Sequence, residues 1–466
     1  MTESDWGFFA LAPLAVTLIL AFWTRSALVG MLAGVIAGVV MLGQTPGAGV
    51  NDLLQRSLGN GDFIWICEIV ILIGVLFQLF RRAEVLKALA FRFSSRHGSR
   101  RQVEVTTWGM GFLIVDDYFS PLLTGAVMRP LSDRARIPRE KLAFLLDTTT
   151  ASVCILVPFT AWGAYLASLI AAQGGPVAGA DQGLNLFIRS IVWNFYPMLM
   201  LLFGLLVAAG LLPDFGPMRK AEQRVRDTGA VLRPGARPLV SDDGVDVDAP
   251  PERDVSLLLE LALPVLLLIG YAAWSLVQTG SVAIVEAFML AVAYLFVTLW
   301  LRGGIDGIED AASLVVQGAS SVMAALLVVA LAYALNAVTA ELGAADVIIR
   351  HFADDLTPNS VVALTFLLAA GMSFATGTSW GTFALMMPVS LPLAFEFSGG
   401  QLTPLVYQTI AAVAGGGIFG DHASPVSDTS VLSSVGAGSD HIDHVVTQLP
   451  YALIVAAATL VIYALI

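Results

Sequence analysis

Apolar stretches long enough to cross a bilayer recur from one end of this chain to the other, and nothing else about it constrains the fold as strongly. A membrane-spanning helix needs about 20 predominantly apolar residues, and such spans fall at about 8–24, 26–43, 63–80, 187–212, 256–278, 282–300, 313–340 and 448–466. Hydrocarbon offers no partner to a backbone N–H or C=O, so each crossing has to be a helix. Composition agrees: of 466 residues, 57% are hydrophobic and only 13% charged, where a soluble chain carries about 25% charged residues. The expected fold class is an all-α polytopic membrane protein. No cleaved secretory leader is expected, because residues 1–5 contain Glu3 and Asp5 and no basic residue. The two cysteines, Cys67 and Cys154, both lie in apolar segments, so no disulfide framework is expected.

Basic residues are few and clustered. Of 24 Lys and Arg, seven lie between Arg81 and Arg101, five between Arg129 and Lys141, and seven between Arg219 and Arg253; only Arg302 and Arg350 follow. Cytoplasmic loops collect such residues, which places all three clusters inside and both termini outside a cytoplasmic (inner) membrane. Residues 105–128 are flanked by basic clusters on both sides and are too short for two crossings. They read as a re-entrant helical hairpin with its tip at Asp116 and Asp117, a geometry tolerated only inside protein or beside a wet cavity. A broken span follows at about 141–172. Residues 213–254 are the least apolar stretch and read as a solvated cytoplasmic linker without a site of its own.

The second half repeats this plan, with a hairpin at about 361–396 and a broken span at about 404–435. Asp354, Asp355 and Glu396 flank the second hairpin, so it should open outward, giving two inverted repeats, 1–212 and 255–466. GMGF at 109–112 matches GMSF at 371–374, and ILVPFT at 155–160 lies over HASPVS at 422–427, which aligns Pro158 with Pro425.

A carboxylate within a span is costly and tends to face a partner, a cavity or an ion path. The candidates are Glu68, Asp116, Asp117, Asp147, Glu286, Asp421 and Asp428. Desolvated carboxylates exchange protons nearer neutral pH than exposed ones, and small hard cations compete for the same oxygens. The densest cluster is GGGIFGDHASPVSDTSVLSS, 415–434, where three glycines, Gly420 and Pro425 predict a helix break within 415–425. Asp421, His422, Ser424, Ser427, Asp428 and Thr429 surround it, and Asp147 with Thr148, Thr149 and Thr150 forms the counterpart in the first half. The second hairpin places Thr376, Gly377, Thr378 and Ser379 at its tip. His441 and His444 are read as belonging to a short cytoplasmic connection, solvated or capping, because no third metal ligand is evident.

GDHASPVSDTSVLSSVGAGSDHIDHVVTQLPYA, with TGTSWGTF and DDYFSPLLTGAVMRPLSD, resembles the NhaC family of Na+/H+ antiporters, within the ion-transporter superfamily. The resemblance runs from about residue 60 to the C-terminus. It implies two hairpins, two discontinuous helices and a homodimer with a mobile transport domain. Carried onto this sequence, it implies a polar site at Asp116, Asp117, Asp147, Asp421, His422, Ser424, Asp428 and Thr429. The expected function is Na+/H+ antiport, with Na+ at Asp421, Asp428 and Asp117 and no resident cofactor. The alternative is Na+- or H+-coupled movement of a small organic acid or amino acid on the same fold. An intramembrane aspartyl protease is disfavoured because Ile418 stands where a Gly-x-Gly-Asp segment would need its first glycine. No P-loop is present, so ATP-driven pumping by this chain is excluded. No nucleic-acid partner is expected.

Overall fold

The computed structural model describes residues 6–24, 27–59, 61–85, 87–88, 99–112, 115, 117, 119–238, 251, 253–279, 283–344, 347, 357–425 and 427–466. Among them all regular structure is helical, as a bilayer requires. Five helices are long and apolar enough to span, and three bent pairs meet the same test together. α1 (Ala12–Thr24) and α2 (Ala27–Met41) pack on each other at the start of the chain. Pro46 then starts α3 (Pro46–Leu58), an amphipathic helix turned 108° from α2 that the hydropathy pattern did not reveal. α4 (Gly61–Arg82) spans and ends on Arg81 and Arg82.

α5 (Arg100–Met110) and α6 (Phe119–Arg134) follow as two arms joined by residues 111–118. α7 (Arg139–Leu156) and α8 (Ala161–Ala171) are bent by 47° at residues 157–160. Pro158 lacks the N–H that would continue the helix, and Thr160 restarts it by accepting the Gly163 N–H at 3.2 Å. α9 (Ala180–Ser190) and α10 (Phe195–Ala208) form the next bent pair. α11 (Gly216–Thr228) leads through a π-helical turn at Leu258–Ala262 to α12 (Leu263–Thr279), α13 (Ile284–Leu301), α14 (Ile308–Ser321) and α15 (Met323–Glu341). The chain closes with α16 (Pro358–Thr376), α17 (Ser379–Phe397), α18 (Pro404–Ala423), α19 (Asp428–Ala437) and α20 (His441–Leu465).

Two local expectations are corrected. The triple glycine does not break its helix: α18 runs unbroken to Ala423, and the interruption lies at residues 424–427. Those glycines serve close packing instead. A Cβ on Gly416 would lie 2.7 Å from the Phe366 carbonyl oxygen, and one on Gly420 would lie 2.2 Å from the Phe374 nitrogen, both on α16. Buried small residues let the two backbones touch, and that contact offsets the poor helix propensity of glycine. Gly420→Ala should therefore push α16 away from α18 and cost about 1–3 kcal/mol, read as a lowered unfolding temperature of the detergent-solubilised protein.

The second correction concerns residues 213–254, which are not a plain solvated connector. α11 buries Met218, Ala221, Glu222 and Val225, a one-sided stripe at helical spacing. Arg224 clamps Glu140 with two bonds of 2.9 and 3.0 Å. Residues 239–250, the acidic end of the stretch, lie outside the described residues. At the same face Lys141, nearly buried, meets Asp214 at 2.9 Å, Glu104 at 3.2 Å and Glu222 at 3.3 Å, while Arg100 pairs with Glu104 and Glu222. These groups line a cavity of about 700 Å³.

Candidate functional site

Two buried carboxylates sit where the interrupted helices meet. Asp421 lies in the last turn of α18, just before Ser424 and Pro425 end it. Its Oδ2 accepts from Ser379 Oγ at 2.7 Å, and its Oδ1 accepts from Ser427 Oγ and from Thr429 Oγ1, the latter at 3.3 Å. Ser379 is the first residue of α17, delivered by a tight turn in which Gly377 takes a left-handed conformation (φ +69°). Ser427 and Thr429 come from the start of α19, where Ser427 also accepts the Thr429 N–H at 3.2 Å as a helix cap. Two helix starts, those of α17 and α19, thus converge three hydroxyls on one carboxylate.

The second carboxylate, Asp147, lies mid-helix in α7 and is wholly buried. Its Oδ2 accepts from Ser430 Oγ at 2.9 Å and Gln448 Nε2 at 2.8 Å. Its Oδ1 has no hydrogen-bond partner among the described residues. A buried carboxylate oxygen left bare is costly, and it is the kind of position at which a proton or cation completes the group. No Lys or Arg pairs with Asp147 or Asp421 among the described residues; the nearest cationic candidate to Asp147 is His444 Nε2 at 3.6 Å.

His422 joins the two halves. Its ring lies between Thr148 Oγ1 on α7 at 3.3 Å and the Tyr196 hydroxyl on α10 at 3.1 Å. Its carbonyl, together with that of Asp421, accepts from Ser430 Oγ, and Gln448 Nε2 also donates to it. A helix end inside the protein frees such carbonyls, and polar side chains here satisfy them.

Asp421, His422, Ser427, Thr429, Ser379 and Asp147 are therefore assembled into one connected network. Ser424 is buried beside it, its N–H closing α18 onto the Gly420 carbonyl at 2.9 Å. Thr376 and Thr378 lie at the α16–α17 turn but use their hydroxyls locally, on the Met372 carbonyl and the Gly381 N–H. Asp428 stands in the first turn of α19 and is exposed, as are Glu68 and Glu286 on α4 and α13. Asp117 is half-buried in the turn between α5 and α6, and Asp116 lies outside the described residues. That turn approaches α7, since a Cβ on Gly111 would lie 2.3 Å from Thr149 Oγ1.

Ser430, Gln448 and Tyr196 are not among the residues singled out from sequence: Ser430 lies within the 415–434 cluster without a charge to mark it, and Gln448 and Tyr196 lie outside that cluster. The expectation that His444 is solvated or capping is corrected by the structure. His444 is fully buried one turn inside α20, because Asp440, not a histidine, caps that helix by accepting the Ile442 and Asp443 N–H groups at 3.0 and 3.2 Å. Four-residue spacing to Gln448 was the available signal.

The sequence pattern of the Na+/H+ antiporter family matches residues 153–466, which hold α8 through α20 and Asp421. An uncharacterized protein of Haemophilus influenzae is 30% identical over 97% of this chain and 90% of its own length. A second protein of that organism, an uncharacterized Na+/H+ antiporter, is 35% identical over 24% of this chain and 23% of its own. Among solved structures, the YdaH transporter of Alcanivorax borkumensis, reported to have an unusual topology, superposes with a TM-score of 0.59 at 14% identity, covering 90% of this chain and 88% of that one. The fold is thus that of a transporter, the apolar helices are those of a multi-pass integral membrane protein, and the chain, a transporter and not an enzyme, belongs to the Na+/H+ antiporter family.

Proposed function

We propose that the protein exchanges Na+ for H+ across the cytoplasmic membrane as a member of the NhaC branch of its family. The observation that carries this reading is Asp421, a buried carboxylate ringed by Ser379, Ser427 and Thr429 hydroxyls with no Lys or Arg to neutralise it among the described residues. Carboxylate and hydroxyl oxygens suit a small hard cation. Each hydroxyl now donates to Asp421 and retains acceptor lone pairs, so rotation about its C–O bond would turn it from carboxylate donor to ion ligand. A proton on the carboxylate removes the negative charge the cation needs, so binding of one expels the other. Asp147, joined to the same network through Ser430, supplies the position for a second proton.

Alternation between faces would follow from two inverted repeats. Packing supports that arrangement: α10, which follows the first interruption, packs on α18, while α20, which follows the second, packs on α7. Such an exchange of neighbours is what interlocked repeats produce. Within this reading the basic clusters and α11 are cytoplasmic, both termini are outside, Asp428 and Asp117 guard the approaches, and the working unit is a homodimer.

Purified protein in liposomes with a trapped pH dye tests the function. An imposed Na+ gradient should drive protons the opposite way, with no uptake of radiolabelled organic acids or amino acids. Solute uptake without cation-triggered proton flux would replace this reading with coupled solute transport.

A further inference from the structure

The histidine pair at the start of α20 has no place in the cation site, yet its hydrogen bonds lead from the surface to Asp147. His441 Nε2 lies 2.7 Å from the Pro425 carbonyl oxygen, which can only accept, so that nitrogen bears the hydrogen and Nδ1 is left as an acceptor. Gln448 turns its amide nitrogen to two oxygens, Asp147 Oδ2 and the His422 carbonyl, so its Oε1 faces His444 Nε2 at 2.8 Å. That ring nitrogen therefore bears a hydrogen too, and His444 Nδ1 is the second acceptor. Between the rings stands a single hydroxyl, Ser434 Oγ, at 3.0 Å from His441 Nδ1 and 2.8 Å from His444 Nδ1.

With both rings neutral, two ring acceptors share one hydrogen, for which the Ser430 carbonyl at 2.8 Å also competes. One added proton closes the set: one Nδ1 becomes a donor to Ser434 Oγ, which donates on to the other ring. His441 is half-buried and His444 fully buried, so the chain connects water to the interior. Its mouth lies on the basic face, where Arg139 Nη1 donates to the Gly438 carbonyl at 3.1 Å and Arg233 pairs with Asp443 at 2.8 Å. The other titratable groups beside it are Asp147 on α7, 3.6 Å from His444 Nε2, and His422 on α18, joined to it through Gln448.

We propose that His441, Ser434 and His444 form a proton relay between the cytoplasm and Asp147, a path that rests on the exchange reading above and adds residues to it. With its ring turned out to water, His441 takes a proton at Nδ1; turned back, it passes that proton to Ser434 Oγ as the hydroxyl's own hydrogen passes to His444 Nδ1. His444 then gives its Nε2 hydrogen to Asp147 Oδ2, 3.6 Å away in this arrangement. His441 and Ser434 end as they began, His444 ends neutral with its hydrogen moved to Nδ1, and Asp147 ends protonated; the reverse order releases the proton. Gln448 is a positioning residue that holds ring and carboxylate in register. Asp147 lies six positions after Lys141, at the rim, and so about 9 Å along α7, a depth that direct hydration would otherwise have to bridge.

The test uses Ser434→Ala in the full-length protein. In proteoliposomes its cation-driven proton turnover should fall roughly tenfold or more, while apparent Na+ affinity, set at Asp421, stays within about twofold of wild type. Absence of cation-driven flux in the wild type would overturn the exchange reading instead. The relay is then judged by 15N NMR of histidine-labelled protein in nanodiscs, with resonances assigned through His441→Gln and His444→Gln. The wild-type rings should respond together over one pH interval, and Ser434→Ala should uncouple them. Independent responses in the wild type, or a Ser434→Ala protein with unchanged flux and unchanged ring signals, would overturn the relay.

Discussion

Asp421→Asn should abolish cation-driven proton flux, a loss of about a hundredfold or more, since removing even a supporting partner of an ion site commonly costs ten- to a hundredfold. The amide keeps the shape of the carboxylate and can still bond Ser379 and Ser427, whose hydroxyls donate and accept equally well. It holds neither a proton nor the charge that attracts a cation. Folding should survive, so the unfolding temperature in detergent is the control: flux lost with stability kept is the expected pair of results. Wild-type flux in this variant would place the exchange chemistry elsewhere.

Lys141→Met should be the most destabilising single change at the basic face, costing about 3–5 kcal/mol, the scale for breaking a buried ion pair from one side. Lys141 is 4% exposed and contacts three carboxylates, Asp214, Glu104 and Glu222. Methionine fills the volume and leaves the carboxylates to Arg100 and to the Tyr451 hydroxyl, which donates to Asp214 at 2.8 Å. Adding Glu222→Gln should recover part of the loss, because one uncompensated charge is removed. Thermal unfolding of the two variants against wild type measures both effects, and equal stability of Lys141→Met and wild type would mean the network contributes nothing net.

The membrane-spanning helices were legible because hydrocarbon tolerates few alternatives: long apolar runs announced α4, α13 and α20 directly. Asp421 was legible for a related reason, since an acid beside histidine, serines and proline within an apolar stretch has few structural explanations. The helix break was displaced because glycine propensity in water says little about a backbone pressed against another, and Gly416 and Gly420 are retained for their contact with α16. α11 was obscured by its own composition: a charged surface helix with one apolar stripe looks like a linker until Glu222 is seen meeting Lys141. Ser430 and Gln448 were invisible because their role depends on α7 lying across α19 and α20, a long-range fact that no local pattern encodes.

The central claim, that a proton and Na+ compete at Asp421, is tested most directly by titrating Na+ into purified wild-type protein in weakly buffered detergent solution while recording pH. The account predicts proton release that saturates with Na+, is absent in Asp421→Asn, and accompanies an apparent Na+ affinity that weakens as pH falls, approaching about tenfold per pH unit where one proton competes. Saturable Na+ binding with no proton released, and with an affinity indifferent to pH, would contradict it.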